Sequence, residues 1–388
     1  SGTPGSRTTL RCRGIRSFQN NDPLDIIDGT PVQDSYINWL NPDDIASIQV
    51  LKDASAASIY GARASNGVVL IETTKKGLSG PPQTTLRVRT GVATPGKGYS
   101  DMMITKSLDY CAVVKASYVT DGLPVPASIQ KIYGDPNNPS VPLYTWADPT
   151  TVLATDAFGR PTSVDASKYS YPGALIFPGS AGTDWWKAVW GSAPVSDYNL
   201  DVRGGSDANA YSVSFNYLDQ QGTAAYNDFR RGSIRVNTAF NRSKLNFGEN
   251  VALSLNRHFG GLPNDDGGEN GIRGKDILMQ PVVSVRDING NFAGGKGVPG
   301  VNDGNSLKQA FEQRDNISKE NQVFGNVFAG LDLMPELSFK TRLGFDLPQN
   351  SFAGVSGITQ ENTEENHSPS ISEKNYTQTD WTITNTPR

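Results

Sequence analysis

Along Ala210 to Leu218, Tyr211, Val213, Phe215 and Tyr217 fall on one side of an extended chain, and Ser212, Ser214 and Asn216 fall on the other. The same period of two returns at Phe247, Val251, Leu253 and Leu255. It returns again where Leu337, Phe339, Leu343, Phe345 and Leu347 oppose Ser338, Lys340, Arg342 and Asp346. Strands of this kind have one apolar and one wet face. Their connections alternate in length: "GGSDAN", "NRSK" and "MPE" are tight, whereas the links from Ala93 to Val195, Asp219 to Asp228, Phe259 to Asn321 and Pro348 to Asn375 are long. Short turns at one end and long loops at the other are the pattern of an outer-membrane-type β-barrel. A soluble sandwich gives the same alternation but has no reason to sort its loops by length.

Composition agrees with many short strands. The 388 residues are 36% hydrophobic and include 40 Gly and 24 Pro. A formal charge of -4, without any basic block, argues against a nucleic-acid partner. No window has the run of about 18 apolar residues that a membrane helix needs, which leaves strands as the means of spanning. The opening "SGTPGSRTTLRCRG" lacks the charged start and apolar run of a signal peptide and reads as the inside of a domain. Cys12 and Cys111 are far apart in sequence and are read as two unpaired, buried thiols.

The first seventy-odd residues have a different texture. In "VLKDASAASIYGARASNGVVLIETTKKG", Val50 to Gly77, a strand gives way to small helix formers and then to a second β-branched run. Asp53 is placed to cap a short helix that ends at Gly61, and Asn66-Gly67 is a turn signal. A small mixed α/β domain is therefore expected from Thr9 to Gly77, before Pro81-Pro82 and the alternating Leu86, Val88 and Thr90.

"NDPLDIIDGTPV", Asn21 to Val32, and "LNPDDIASIQVLKDASAASIYGARASNGVVLIETTKKG", Leu40 to Gly77, resemble the plug domain of the SusC/RagA-type TonB-dependent outer-membrane transporters. "TDWWKAVWGSAPVSDYNLDVRGGSDANAYSVSFNYLDQQG", Thr183 to Gly222, is similar to the early barrel of that family. The resemblance implies a mostly β chain: a plug over residues 1–78, incomplete at its N-terminus, then over 79–388 the N-terminal part of an antiparallel transmembrane barrel of about 22 strands. It implies a segment before Ser1 that carries a TonB box. The roughly eight strands legible here would form an open arc with edges near Leu86 and Trp381, since so few strands closed on themselves leave no room for a plug.

For function, the resemblance implies TonB-dependent import of oligosaccharides or oligopeptides across the outer membrane of a Gram-negative bacterium, with a SusD-type surface lipoprotein as lid. The alternatives are a lidless receptor for a siderophore or cobalamin and a non-transporting surface adhesin. Substrate in this family is bound between plug tips and barrel loops. By position the candidate binding residues are Gln19, Asn20, Asp34, Tyr36, Trp39 and Arg63, which carry the donors, acceptors and aromatic faces suited to sugars or peptides. Solvation of loop tips is the simpler role for each, and Arg63 is read as an ion-pair partner for barrel-wall carboxylates.

"GLPNDDGGENG" places Asp265, Asp266 and Glu269 close together but lacks the ligand spacing of a calcium loop, so no metal is assigned. Trp185, Trp186 and Trp190 are read as an interfacial girdle or as loop packing. With only His258 and His367, no carboxylate pair and no phosphate-binding glycine loop, neither an enzyme nor a cofactor site is expected.

Overall fold

In a computed structural model the protein is described at residues 4–5, 22–32, 37–51, 58–73, 80–96, 100–206, 208–261, 271–298, 300–301, 304–334 and 336–387. Four strands, β1 (Leu24–Ile27), β2 (Thr30–Val32), β3 (Ile45–Leu51) and β4 (Val68–Thr73), form a small sheet in the order β2-β1-β4-β3. β1 and β4 run parallel, and the outer pairs are antiparallel. Asp28 and Gly29 make the hairpin between β1 and β2 with φ of 51° and 80°. Positive φ at both central residues is what a two-residue hairpin turn needs to match strand twist.

The helix expected from Asp53 to Gly61 takes another form where it is described. Ser58–Asn66 is 3-10 in character and is broken at Gly61, whose φ of 69° and ψ of -157° lie outside any helical region. Gly61 thus has the expected positive φ without serving as a left-handed helical cap. Gly67, at φ 95°, fits the expected turn.

Beyond this sheet lie β5 (Gly80–Ala93), β6 (Tyr144–Ala147), β7 (Val152–Thr155), β8 (Pro161–Val164) and β9 (Ile176–Pro178). They are followed by β10 (Ala193–Gly205), β11 (Asn209–Gln221), β12 (Asp228–Arg242) and β13 (Leu245–Phe259). The last are β14 (Ile317–Met334), β15 (Leu337–Ser356), β16 (Ser370–Thr377) and β17 (Asp380–Pro387). Nine of them form one antiparallel sheet running from β5 through β10 to β15, with β16 and β17 both on the far edge of β15. β16 and β17 lie end to end: Thr377 faces Gln349 and Asp380 faces Asp346. They are one line of chain interrupted opposite Pro348, which has no N–H to give the ladder. The sheet is thus an open arc of eight lines with β5 at one edge and β16 and β17 at the other, the edges expected near Leu86 and Trp381.

The arc is inside-out relative to a soluble protein. Leu86, Leu200, Phe215, Ile234, Leu253, Val323 and Leu347 stand opposite one another in an unbroken cross-strand row on its outer face. Leu86, Phe215, Tyr217, Phe247, Leu343 and Trp381 are exposed there, whereas Asn199, Asn216, Arg235, Asn250 and Asn326 on the inner face are buried. Apolar residues facing out and polar residues facing in are what lipid outside and a hydrated lumen inside select. Among the described residues no helix is long and apolar enough to cross a membrane.

The long links fold together at one end. They carry α1 (Ser107–Thr120), α2 (Ala127–Tyr133), α3 (Trp185–Val189), α4 (Ile272–Leu278), α5 (Ser306–Glu312) and the ribbons β6/β9 and β7/β8. Cys111, Tyr133 and Trp185 from the link after β5 share a core with Met279, Val282 and Val283 from the link after β13. The link after β15 is tied on by Lys308, which bonds the buried Glu361 and, at 2.8 Å, the carbonyl of Ile358. Cys111 is a free, buried thiol as expected, and Cys12 lies outside the described residues. Loop packing is the role of the tryptophans: Trp185 donates to the Gln280 carbonyl at 3.2 Å, and Trp186 stacks on Trp190 with centroids 5.1 Å apart.

Candidate functional site

The small sheet sits against the inner face of the arc, and the contact is built mainly of polar side chains. The Asp28-Gly29 turn aims the Asp28 carboxylate past the end of β4. There it accepts from the Thr73 amide at 3.0 Å and the Thr73 hydroxyl at 2.6 Å. The amide of Asn250, on β13, also donates to Asp28. Arg235, on β12, donates to Asn250 Oδ1 at 2.8 Å and stands 3.7 Å from Asp28 and 3.4 Å from Asp44. Burial raises the Asp44 carboxyl above the usual carboxylate range, opposed by its bond with Ser214 and by the charge of Arg235.

A second group of contacts lies beside the first. Asn41 caps the 3-10 turn Pro42–Asp44, its Oδ1 accepting from the Asp43 amide at 3.3 Å. Its Nδ2 donates across to Asn199 Oδ1 at 2.9 Å. Arg231 donates to the carbonyls of Asn38 and Leu40 at 3.0 and 3.3 Å. Asn326 bonds the Asp28 carbonyl at 3.4 Å and the Thr30 hydroxyl at 3.3 Å. The apolar part of the contact is small on the arc side, where Ala252 and Phe324 meet Ile27, Val32, Trp39, Leu40, Val69 and Ile71.

Water admitted to such an interface replaces each hydrogen bond with another, so separation exchanges bonds rather than losing them. The arrangement can hold the small sheet in one place and still release it at modest cost. Within the sheet, Asp25 is buried and its Oδ1 has no hydrogen-bond partner. Burial, helped by Asp22, raises its carboxyl to about 6.

Of the residues proposed from sequence for binding, Gln19, Asn20, Asp34 and Tyr36 lie outside the described residues. Trp39 is buried in the contact just described, its ring tilted 41° against Phe324 with centroids 5.1 Å apart. Arg63 is exposed on the 3-10 segment and has no ion pair with a described residue. Among the described residues no wall carboxylate meets Arg63; the ion pairs across the interface run the other way, from wall arginines to plug carboxylates: Arg235 to Asp28 and Asp44, and Arg87 and Arg89 to Asp43. Sequence reasoning missed Asp28, Asp44, Arg235 and Asn250. The available signals were the Asp28-Gly29 turn and an arginine on the wet face of β12.

Asp265, Asp266 and Glu269 lie outside the described residues, and among those described no cluster of His, Cys, Asp and Glu could hold a metal. The His258 ring packs on Phe229 at 4.6 Å, and His367 Nδ1 is 2.7 Å from the Gln360 amide.

Comparison with known proteins places these features. Residues 1–68 match the TonB-dependent Receptor Plug Domain. The TonB-dependent receptor SusC of Bacteroides thetaiotaomicron is 30% identical over 246 residues, which is 61% of this chain and 19% of that protein. The TonB-dependent receptor P3 of Formosa agariphila is 27% identical over 358 residues, 89% of this chain and 28% of that protein. The chain thus spans less than a third of the length of these two curated relatives. Among solved structures, the RagAB peptide transporter aligns with a TM-score of 0.69 and 24% identity, covering 98% of this chain and 40% of that chain. The RagAB peptide importer in its closed-closed state aligns with a TM-score of 0.65 over 98% of this chain and 40% of that chain. The fold is that of a plug against part of a TonB-dependent barrel.

Proposed function

We propose, for a chain that belongs with the SusC/RagA-type TonB-dependent transporters, that the whole protein imports oligosaccharides or oligopeptides across the outer membrane of a Gram-negative bacterium. Residues 1–78 act as the plug and 79–388 as the first part of the barrel. The observation that carries this reading is the polar seat of the small sheet on the inner wall, centred on Asp28, Asp44, Arg235 and Asn250. A plug that must close the lumen and yet be moved by TonB needs a contact that is specific and can be rehydrated.

Substrate is captured from the side of the long loops; Gln19, Asn20, Asp34, Tyr36 and Arg63 remain the candidate polar contacts by their chemistry, while Trp39 is buried against Phe324. The folded mass formed by the long links supports a SusD-type surface lipoprotein as lid, since it offers an ordered platform rather than loose loops. TonB engages a segment N-terminal to the plug and transmits the inner-membrane proton gradient.

The test is purification of the full-length protein from its native membrane in mild detergent, with mass spectrometry of what stays bound. A stoichiometric lipoprotein together with an oligomeric sugar or peptide supports the reading. Recovery of the transporter alone with an iron chelate or cobalamin overturns it in favour of a lidless receptor, and the absence of any gradient-dependent uptake overturns import altogether.

A further inference from the structure

We infer that the outer face of the arc carries a binding site for a phosphate-bearing, acylated lipid of the outer leaflet. The register of three neighbouring strands brings Arg230, Arg257 and Lys319 opposite one another in a single row across β12, β13 and β14. Alternation fixes the face. Asn256 is buried inward and Leu255 is exposed outward, so Arg257 points to the membrane; Phe229 and Arg231 are buried inward, so Arg230 does the same. Asn321, opposite Leu255, puts Lys319 on that face as well.

The row stands at the edge of the lipid-facing band. From Leu245 to Leu255 the outer residues of β13 are mostly apolar, interrupted by Glu249, over about 34 Å of strand; a tilt of about 40° makes that about 25 Å of height, the usual thickness of the apolar belt. The cations are one step beyond, on the side of the long loops, where lipid headgroups begin. Arg230 is engaged by Asp219 at 3.5 Å and by the charge of Asp228 on the next rung of the same face, and its guanidinium lies 5.1 Å over Phe259, which leaves three cations against two carboxylates. Arg257 and Lys319 make no ion pair with a described residue, and Arg257 Nη1 is buried without a hydrogen-bond partner. The row therefore keeps a net excess of positive charge and an unmet donor at the depth of a headgroup phosphate.

Directly below the row the wall is hollowed. Gly232 stands between Tyr217 and Leu255, and a Cβ there would meet nothing within 4 Å. A cavity of about 450 Å³ opens around it, walled by Tyr198, Phe215, Tyr217, Ile234, Leu253 and Leu255. An apolar hollow one rung beneath a row of cations fits an acyl chain hanging from a phosphorylated head, the guanidinium groups taking the phosphate oxygens and the hollow taking the chain. Free phosphate would use only the first half of this site.

The experiment uses the full-length transporter, stripped of endogenous lipid in detergent and titrated by native mass spectrometry. The probes are a diphosphorylated, acylated glucosamine lipid, the same lipid after enzymatic removal of its phosphates, and inorganic phosphate. The wild-type protein should hold the phosphorylated lipid at least about tenfold more tightly than the dephosphorylated one, and Arg257→Ser with Lys319→Ser should remove that preference. Arg242→Ser, at the other rim of the band, should leave it unchanged, and Gly232→Leu should weaken both lipids alike by filling the hollow. Equal affinity of the wild type for the two lipids overturns the inference, as does an unaltered preference in the double variant. Displacement of the lipid by inorganic phosphate alone would make this an anion site without a lipid. The wild-type comparison needs no mutant to fold, and none of these outcomes depends on whether the transporter imports its cargo.

Discussion

Arg235 of the wall and Asp44 of the plug stand 3.4 Å apart, with their side chains 3% and 10% exposed, and the same guanidinium lies 3.7 Å from Asp28. One cation thus faces two plug carboxylates across a buried contact. Arg235→Met should remove the buried cation that the two acids share and cost the contact about 3–5 kcal/mol, whereas Arg235→Met combined with Asp28→Asn and Asp44→Asn should recover part of that loss. Sensitivity of cells to a large hydrophilic antibiotic reports plug seating: it should rise in the single variant and fall back in the triple. Equal sensitivity of the single variant and wild type would mean that Arg235 does not hold the plug.

Gly344 lies on the inner face of β15 beside Thr30 of the plug. A Cβ there would stand 2.6 Å from Thr30 Cγ2 and 2.8 Å from its hydroxyl. Gly344→Val should push the β1–β2 hairpin off the wall, at a cost of about 1–3 kcal/mol from overpacking. Thr30→Ala in the same protein should relieve much of it. Hydrogen exchange of the Ile26 and Ile27 amides measures the effect; unchanged protection in Gly344→Val would show that the wall yields instead.

Asp276 is fully buried, with the Trp190 indole donating to Oδ2 at 2.6 Å and the Ser306 hydroxyl donating to Oδ1. Burial raises its carboxyl to about 7 against an unfolded value of 3.8, the two hydrogen bonds acting in the other direction. Between those values the folded state holds a proton that the unfolded state has lost. Its contribution is therefore fully present below about pH 4 and disappears as pH rises through about 7. Opening of the folded long loops, read by limited proteolysis, should be about tenfold more frequent at pH 8 than at pH 6. Asp276→Asn should flatten that profile, and a profile as steep as wild type would assign the titration to another group.

The arc was legible in sequence because a strand bilayer-facing on one side repeats every two residues, and because the tight turns "GGSDAN", "NRSK" and "MPE" mark where strands reverse. The plug strands were legible for the same local reasons, helped by Asp28-Gly29 and Asn66-Gly67. The segment Ser58–Asn66 was not, since small residues fit several turn geometries and only the backbone at Gly61 decides among them. Nor were β6 to β9, whose pairings join residues within a link that reads as irregular.

The site was harder still. Arg235 and Asp28 are separated by some two hundred residues, and the sequence marks both as polar without saying that they meet. Arg230, Arg257 and Lys319 form a row only once the register of three strands is fixed. Arg63 illustrates the limit: a plug arginine suggests pairing with wall carboxylates, whereas at the described contact the wall supplies the arginine, Arg235, and the plug supplies the carboxylates.

If the plug works by leaving its polar seat on the wall, a covalent tie across that seat must stop transport. Asn41 Nδ2 and Asn199 Oδ1 are 2.9 Å apart across that seat, so cysteines at these two positions face one another and can be joined by a short cross-linker that carries a reducible disulfide. In the full-length transporter lacking Cys12 and Cys111, the measurement is uptake of the retained oligomeric cargo before cross-linking, after it, and after reduction. Uptake should stop in the cross-linked protein, with cargo still bound at the surface, and return when the disulfide is reduced. Undiminished uptake through a quantitatively cross-linked plug would contradict the account.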